Sequence, residues 1–206
     1  MNVLLINGSP HEKGCTYTAL SLVAGELQAA GIGTEIFWIG NQPVGGCIGC
    51  GGCRGKGECV FGGTVNQAIA KAQQADGFVF GSPVHYAAAS GNMTSFMDRF
   101  CYAGGAALRY KPASIVTSAR RAGTTATLDQ LSKYPQFFHM PLVSGNYWPM
   151  VHGSKPEDVL KDEEGCEVMR ELGRNMAWLL QCIEAGKAAG ISHPDNPPRP
   201  MTSFIR

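Results

Sequence analysis

The chain alternates short apolar runs with longer stretches of helical periodicity. Residues 2–6 (Asn-Val-Leu-Leu-Ile) read as a buried strand, closed by Asn7-Gly8-Ser9-Pro10. Between 16 and 30, Leu20, Val23, Ala24 and Leu27 recur at helical spacing, and Gly31 supplies the stop. A second strand is predicted over 34–39. Thr64 then reads as the N-cap of a helix carrying Val65, Ala68, Ile69 and Ala72. A third buried strand over 77–81 leads into a helix over 90–101 with Met93, Phe96, Met97 and Phe100 on one face. A fourth strand over 113–117, a helix over 124–134 and a short fifth strand over 141–144 follow. The stretch 164–189 keeps Met169, Leu172, Met176, Leu179, Leu180 and Ile183 in helical register. Beyond it, Pro194, Pro197, Pro198 and Pro200 predict an extended tail over 193–206.

Five strand–helix alternations predict an α/β fold: one five-stranded parallel sheet with helices on both faces. With no internal repeat and no linker, the 206 residues read as a single domain. In such a sheet, ligands bind beyond the carboxyl ends of the strands, where the strand order reverses. The loops after strands one, three and four are therefore the places to look for chemistry.

A hydrophobic share of 44% against 16% charged excludes a disordered polyelectrolyte. The net charge of +1 leaves no strong field, so neither nucleic acid nor an anionic membrane is an expected partner. The N-terminal apolar run is too short for a leader or a membrane span, which points to the cytoplasm and a reducing compartment. There, clustered cysteines imply metal or redox chemistry rather than structural disulfides.

Glycine is in excess, at 27 residues, and concentrates with cysteine in a loop over 41–63. Four of the eight cysteines fall there as Cys47-x2-Cys50-x2-Cys53-x5-Cys59. Four thiolates so close together, spaced by glycine, can wrap one compact cofactor. Structural zinc sites separate two Cys-x2-Cys pairs by a longer interval, so zinc fits less well. A loop of free thiols is the alternative. Cys101, Cys166 and Cys182 fall inside helical patterns and read as core or surface residues without chemistry.

Loop one, Gly8 to Thr16, runs from a strand into a helix, whose free N–H groups and partial positive charge suit a phosphate. It contains neither a Walker A nor a Gly-x-Gly-x-x-Gly motif. Loop two carries Ser82-Pro83-Val84-His85-Tyr86, and loop three Thr117-Ser118-Ala119-Arg120-Arg121-Ala122-Gly123. Two arginines beside a helix start suit an anion or an electron-rich ring; taken alone, they read first as a solvated surface pair. Trp148 reads either as a wall of a ligand pocket or as core.

With these segments in hand, the chain resembles the flavodoxin-like NAD(P)H-dependent FMN reductases, in particular the iron-sulfur flavoprotein branch. The resemblance runs from Asn7-Gly-Ser-Pro10 through loops two and three to Tyr147-Trp148, His152-Gly153 and Ser203-Phe-Ile-Arg206. It implies a flavodoxin-like three-layer sandwich. It also implies FMN, with its phosphate at Ser9, His11, Gly14, Cys15 and Thr16. The ring would be bordered by Pro83, Val84, His85 and Tyr86 and closed by Ser118, Ala119, Arg120, Arg121 and Gly123. Cys15 and His85 depart from the family pattern, which has Ser or Asn and commonly Tyr. The cysteine spacing resembles the motif that holds a 4Fe-4S cluster on Cys47, Cys50, Cys53 and Cys59.

The implied activity is an FMN-dependent oxidoreductase taking hydride from a transiently bound NAD(P)H and reducing a quinone, a flavin or another small acceptor. The alternative is an iron-sulfur electron carrier exchanging electrons with a ferredoxin-like protein. Because flavin carries the chemistry, no side chain is named as catalytic. A homodimer or homotetramer is implied by the same resemblance.

Overall fold

The computed structural model describes residues 1–203; the last three residues of the expected tail lie outside them. The elements in chain order are β1 (Asn2–Asn7), α1 (Cys15–Ala29), β2 (Gly33–Trp38), α2 (Thr64–Ala72), β3 (Gly77–His85), β4 (Ala88–Ala89) and α3 (Gly91–Gly104). They continue with β5 (Ala113–Ala119), α4 (Thr124–Phe137), β6 (Met150–His152), α5 (Pro156–Val159) and α6 (Glu163–Ala188). The main sheet runs β2-β1-β3-β5-β6, all parallel, and β4 turns back antiparallel on the end of β3. That order reverses between β1 and β3, the switch point where flavodoxin-like folds place their ligand.

Alternation along the strands divides the interior into two cores. Leu4, Ile6, Phe78, Phe80 and Ile115 face α2, α3 and α4, whereas Val3, Leu5, Val79 and Val116 face α1 and α6. A strand buried on both faces has no polar face to show, which is why 3–6 and 78–80 read as unbroken apolar runs, while β5 also buries Ser114, Thr117 and Ser118. The strand ends lie level: Asn7 pairs with Trp38 and Gly81, Pro83 with Ser118, and Ala119 with His152. The three suspect loops therefore leave the sheet along one edge.

Two local expectations fail. Gly63, at φ 72°, is the N-cap of α2 and Thr64 is already its first helical residue, with no side-chain cap. Segment 141–144 forms no strand. It makes one bridge, Leu142 to Ala113, and the edge strand is Met150–His152. Between them the chain is drawn off the sheet toward α6: Asn175 Nδ2 donates to Ser144 O (2.8 Å), and Asn146 N donates to Glu171 Oε2 (3.0 Å). β3, β5 and α4 each run two or more residues beyond their expected ends. The start of the tail folds back, with His193 stacked on Tyr110 at 4.4 Å and His139 stacked on the same ring at 5.3 Å.

Candidate functional site

Loop one enters α1 through Gly14, which offers no side-chain cap, and no acidic residue occupies the first turn. The first N–H groups of α1 thus have no intrahelical partner and no carboxylate within their own turn. The loop is braced from below: Ser9 N donates to Asn7 Oδ1 (3.1 Å), Ser9 Oγ accepts from His11 N (3.1 Å), and Trp38 Nε1 donates to Ser9 O (2.8 Å). Cys15 Sγ donates to Gly153 O at 3.6 Å, and partial burial raises its pKa, so the thiol is a neutral donor at physiological pH. That suits a phosphate neighbour, which a thiolate would repel.

Loops one and three meet through Thr16 Oγ1 and Ser118 Oγ, 2.8 Å apart and both buried. The sequence offers these hydroxyls as separate ligand donors; in the fold one of them donates to the other, and the accepting hydroxyl keeps its own O–H to give. Loops two and three meet at Gly123. At φ 95°, a Cβ there would stand 2.6 Å from Ala87 Cα and 2.7 Å from Val84 Cγ1. Loop two is the hairpin β3–β4, whose two central residues, Tyr86 (φ 49°) and Ala87 (φ 60°), both take left-handed backbone. Such turns favour Asn-Gly, so this pair is held under strain of about 1–3 kcal/mol per residue. The strain presents Tyr86 fully to solvent. His85, Arg120 and Arg121 are exposed beside it, while Pro83 and Val84 are half-buried and Ala119 is buried. Below them, Thr117 Oγ1 is a buried hydroxyl with no hydrogen-bond partner. The result is a shelf with backbone donors at one end and an aromatic residue and two cations at the other.

The cysteine loop forms a second feature. Cys47, Cys50, Cys53 and Cys59 all line one cavity of about 810 Å³, and Cys101, expected to lack any role beyond packing, lines it too. The cavity wall carries Arg54, Lys56, Arg99 and Arg109 and no carboxylate. No three His, Cys, Asp or Glu side chains among the described residues converge to hold a single metal ion. A four-iron cluster is larger than an ion and keeps its ligand sulfurs further apart, so that geometry bears on a mononuclear site alone. Four thiols on a cationic wall suit a thiolate-bound iron-sulfur cluster, which is negatively charged.

Helix α3 joins the two features, and sequence reasoning missed its part. Ser90 Oγ caps α3 by accepting from Met93 N (3.3 Å) and donates to Gly8 O (3.0 Å) in loop one. Two residues on, Asn92 Nδ2 donates to Gln42 O (3.0 Å) and its Oδ1 accepts from Val44 N (3.1 Å). Two turns later Arg99 reaches Gly45, Cys59 and Gly62. Cys53 Sγ donates to Tyr102 O at 3.8 Å. Asn66 grips the backbone of Cys59 from both sides, Oδ1 accepting from N (2.8 Å) and Nδ2 donating to O (3.0 Å). Trp148 is not core: it is exposed, edge-on to Tyr147 at 4.6 Å. No helix of the described residues is long and apolar enough to cross a membrane.

A flavodoxin-like sheet with a free helix start at its switch point is suited to a phosphate-bearing ligand such as a flavin nucleotide. Comparison with known sequences makes the assignment specific. The NADPH-dependent FMN reductase family model matches residues 1–155, and the chain belongs to that family of flavin-binding oxidoreductases. An iron-sulfur flavoprotein of Methanocaldococcus jannaschii is 30% identical over 193 residues, covering 89% of this chain and 100% of the relative. Among solved structures, an archaeal flavodoxin superposes with a TM-score of 0.61 at 10% identity, covering 88% of this chain and 99% of that one. The apo form of an NADH:FMN oxidoreductase superposes at 0.60 and 17% identity, covering 88% and 89%. At those identities the two structures speak for the fold alone.

Proposed function

We propose that this protein is an FMN-dependent oxidoreductase that takes electrons from NAD(P)H and releases them through a 4Fe-4S cluster on Cys47, Cys50, Cys53 and Cys59. FMN accepts a hydride as an electron pair and a cluster carries electrons singly, so the two together convert one kind of transfer into the other. Ser9, His11, Gly14 and the N–H groups of Cys15 and Thr16 hold the phosphate at the α1 start, where the helix dipole favours an anion. Pro83, Val84, His85 and Tyr86 border the ring on one side. Ser118, Ala119, Arg120, Arg121 and Gly123 close the other, with the two guanidinium groups offsetting negative charge on the reduced ring. The Thr117 hydroxyl is a further donor in reach of this shelf. The absence of a dinucleotide fingerprint fits a nicotinamide that binds transiently.

The observation that carries the reading is the cysteine cavity: its lining includes all four cysteines and four cations and no carboxylate, and one helix ties it to the loop-one shelf. Electrons leave there to a small acceptor or to a ferredoxin-like protein, past the exposed apolar rim of Ile48, Val60 and Phe61. The experiment is anaerobic purification followed by assays of FMN, iron and acid-labile sulfide, and by a visible spectrum during NAD(P)H addition. The reading expects one FMN with about four irons and four sulfides per chain. Flavin without iron removes the cluster and leaves a plain flavin reductase. Protein that takes up no FMN overturns the whole assignment.

A further inference from the structure

Arg99 is a charged side chain only 8% exposed, in a helix whose neighbouring positions Phe96 and Phe100 are fully buried. A buried guanidinium ordinarily finds a carboxylate, because leaving its charge uncompensated costs several kcal/mol. Among the described residues none pairs with it. Its three partners all belong to the cysteine loop. Nη1 donates to Gly45 O (3.3 Å), Nη2 donates to Gly62 O (2.9 Å), and Nε donates to Cys59 Sγ (3.3 Å), with the Phe61 ring 5.7 Å from the guanidinium carbon. The two carbonyls flank the segment that carries all four cysteines. One rigid fork therefore fixes the width of the loop at its base and sends its third donor to a single sulfur.

Building on the cluster reading above, we infer that Arg99 is the positioning residue of the iron-sulfur site and sets its reduction potential. It does the first by closing the loop between Gly45 and Gly62, and the second by donating an N–H···S hydrogen bond to the Cys59 ligand. Reduction adds one electron to the cluster and makes and breaks no bond. In turnover the electron comes from the bound flavin; in a titration it comes from dithionite. The added negative charge falls beside a fixed cation and a donor aimed at sulfur, so both favour the reduced form and raise the potential. Cys59 is singled out among the four cysteines because its thiol takes this bond and Asn66 clamps its backbone. A lysine could keep the charge, but a single ammonium on a flexible stem cannot match a planar fork aimed at three acceptors.

The test begins with iron and sulfide content of the anaerobically purified wild-type protein. Absence of both refutes the cluster reading itself, and the role of Arg99 in it falls for that separate reason. With the cluster in place, potentials are measured by dithionite titration for wild type, Arg99→Lys and Arg99→Met. The expected result is that Arg99→Met at equal iron content favours the oxidised form at least tenfold more than wild type, a downward shift of 59 mV for a one-electron couple. Arg99→Lys is expected to fall between the two. A potential in Arg99→Met within threefold of wild type in that ratio, at equal iron, overturns the inference. Should Arg99→Met fail to hold iron, a second measurement on wild type decides. Protein grown with isotopically labelled arginine nitrogen is reduced, and magnetic coupling between the cluster and a guanidinium nitrogen is sought by pulsed electron paramagnetic resonance. Coupling that disappears in Arg99→Lys supports the hydrogen bond. No coupling in loaded wild type overturns it.

Discussion

Replacing Gly123 by alanine tests whether loops two and three act as one shelf. The residue sits at φ 95°, and its added methyl would meet the Cα of Ala87 at 2.6 Å and Val84 Cγ1 at 2.7 Å. Left-handed backbone costs a residue with a Cβ about 1–2 kcal/mol. Forcing a methyl against backbone adds about 1–3 kcal/mol, because neither the strained turn nor the buried start of α4 can yield without moving the other. A total near 3 kcal/mol corresponds to a melting point lower by about 6–12 °C for a chain of this size. If the loops part to relieve the contact, some of that cost reappears as FMN affinity, at about tenfold for each 1.4 kcal/mol. Calorimetry of the apo-protein together with flavin fluorescence titration reads both quantities. Gly25→Ala is the control: Gly25 lies exposed within α1 with nothing within 4 Å of the added methyl. That change should stabilise by about 0.5–1 kcal/mol and leave FMN binding alone. A Gly123→Ala protein within about 0.5 kcal/mol of wild type, the size of an ordinary surface change, and with unchanged FMN affinity would falsify the shared-shelf argument.

Asp162 caps α6 through Gly165 N (3.0 Å) and also accepts from His152 N (2.8 Å) on β6, so Asp162→Ala should cost about 1–2 kcal/mol in urea unfolding. Asn66→Ala frees the backbone of Cys59, and the expected outcome is faster iron loss to a chelator with little change in far-ultraviolet circular dichroism. Burial pushes the Cys101 thiol well above its ordinary 9.0. The folded chain then keeps a proton that the unfolded chain releases, so this stabilisation is full below about pH 9 and declines as pH rises toward the folded value. Cys101→Ala should lower stability at neutral pH through lost packing, yet flatten its fall between about pH 8.5 and 10.5; an equally steep alkaline limb in the variant would contradict this.

The fold was legible because the central strands are buried on both faces and each long helix keeps its own period, so runs such as Phe78-Val79-Phe80 announce themselves; the four-residue α5 is too short to show one. The edge of the sheet was not. Pro141 to Ser144 and Met150 to His152 are both short and partly apolar, and both segments touch β5. What separates them is the pull of Asn175 and Glu171 on the intervening loop, a contact between α6 and the sheet edge that no local pattern records. The strained turn at Tyr86 and Ala87 was hidden for a similar reason, since neither residue type advertises left-handed backbone. In the candidate site, the loops and the four cysteines stood out by composition. Their fastenings, Asn66, Asn92 and Arg99, did not, because their partners are mostly main-chain groups, seven residues away for Asn66 and 37 or more for Asn92 and Arg99. Arg99 left one trace: a cation beside an apolar helical stripe with no acidic residue one turn away on the same helix.

Helix α3 explains why the two halves of the site belong to one device. Its N-cap Ser90 is bonded to Gly8 in loop one, and Arg99 lies about 13 Å further along the axis at the usual rise per residue. Asn92 and Arg99 are seven residues apart and so share a face, the face against which the cysteine loop is laid. The adjoining face buries Met93, Phe96, Met97 and Phe100 in the larger core, which anchors the helix. A change in loop one that shifts the α3 start is therefore expected to move Asn92 and Arg99 with it, and a change in the cysteine loop to pull on the shelf proposed for flavin. Ser90→Ala separates this view from one in which the sites are independent neighbours. It removes the cap and the bond to Gly8 without touching a cysteine. If α3 carries the coupling, the variant will lose FMN affinity and iron together; loss of FMN affinity with iron retention unchanged would assign the cap to the shelf alone.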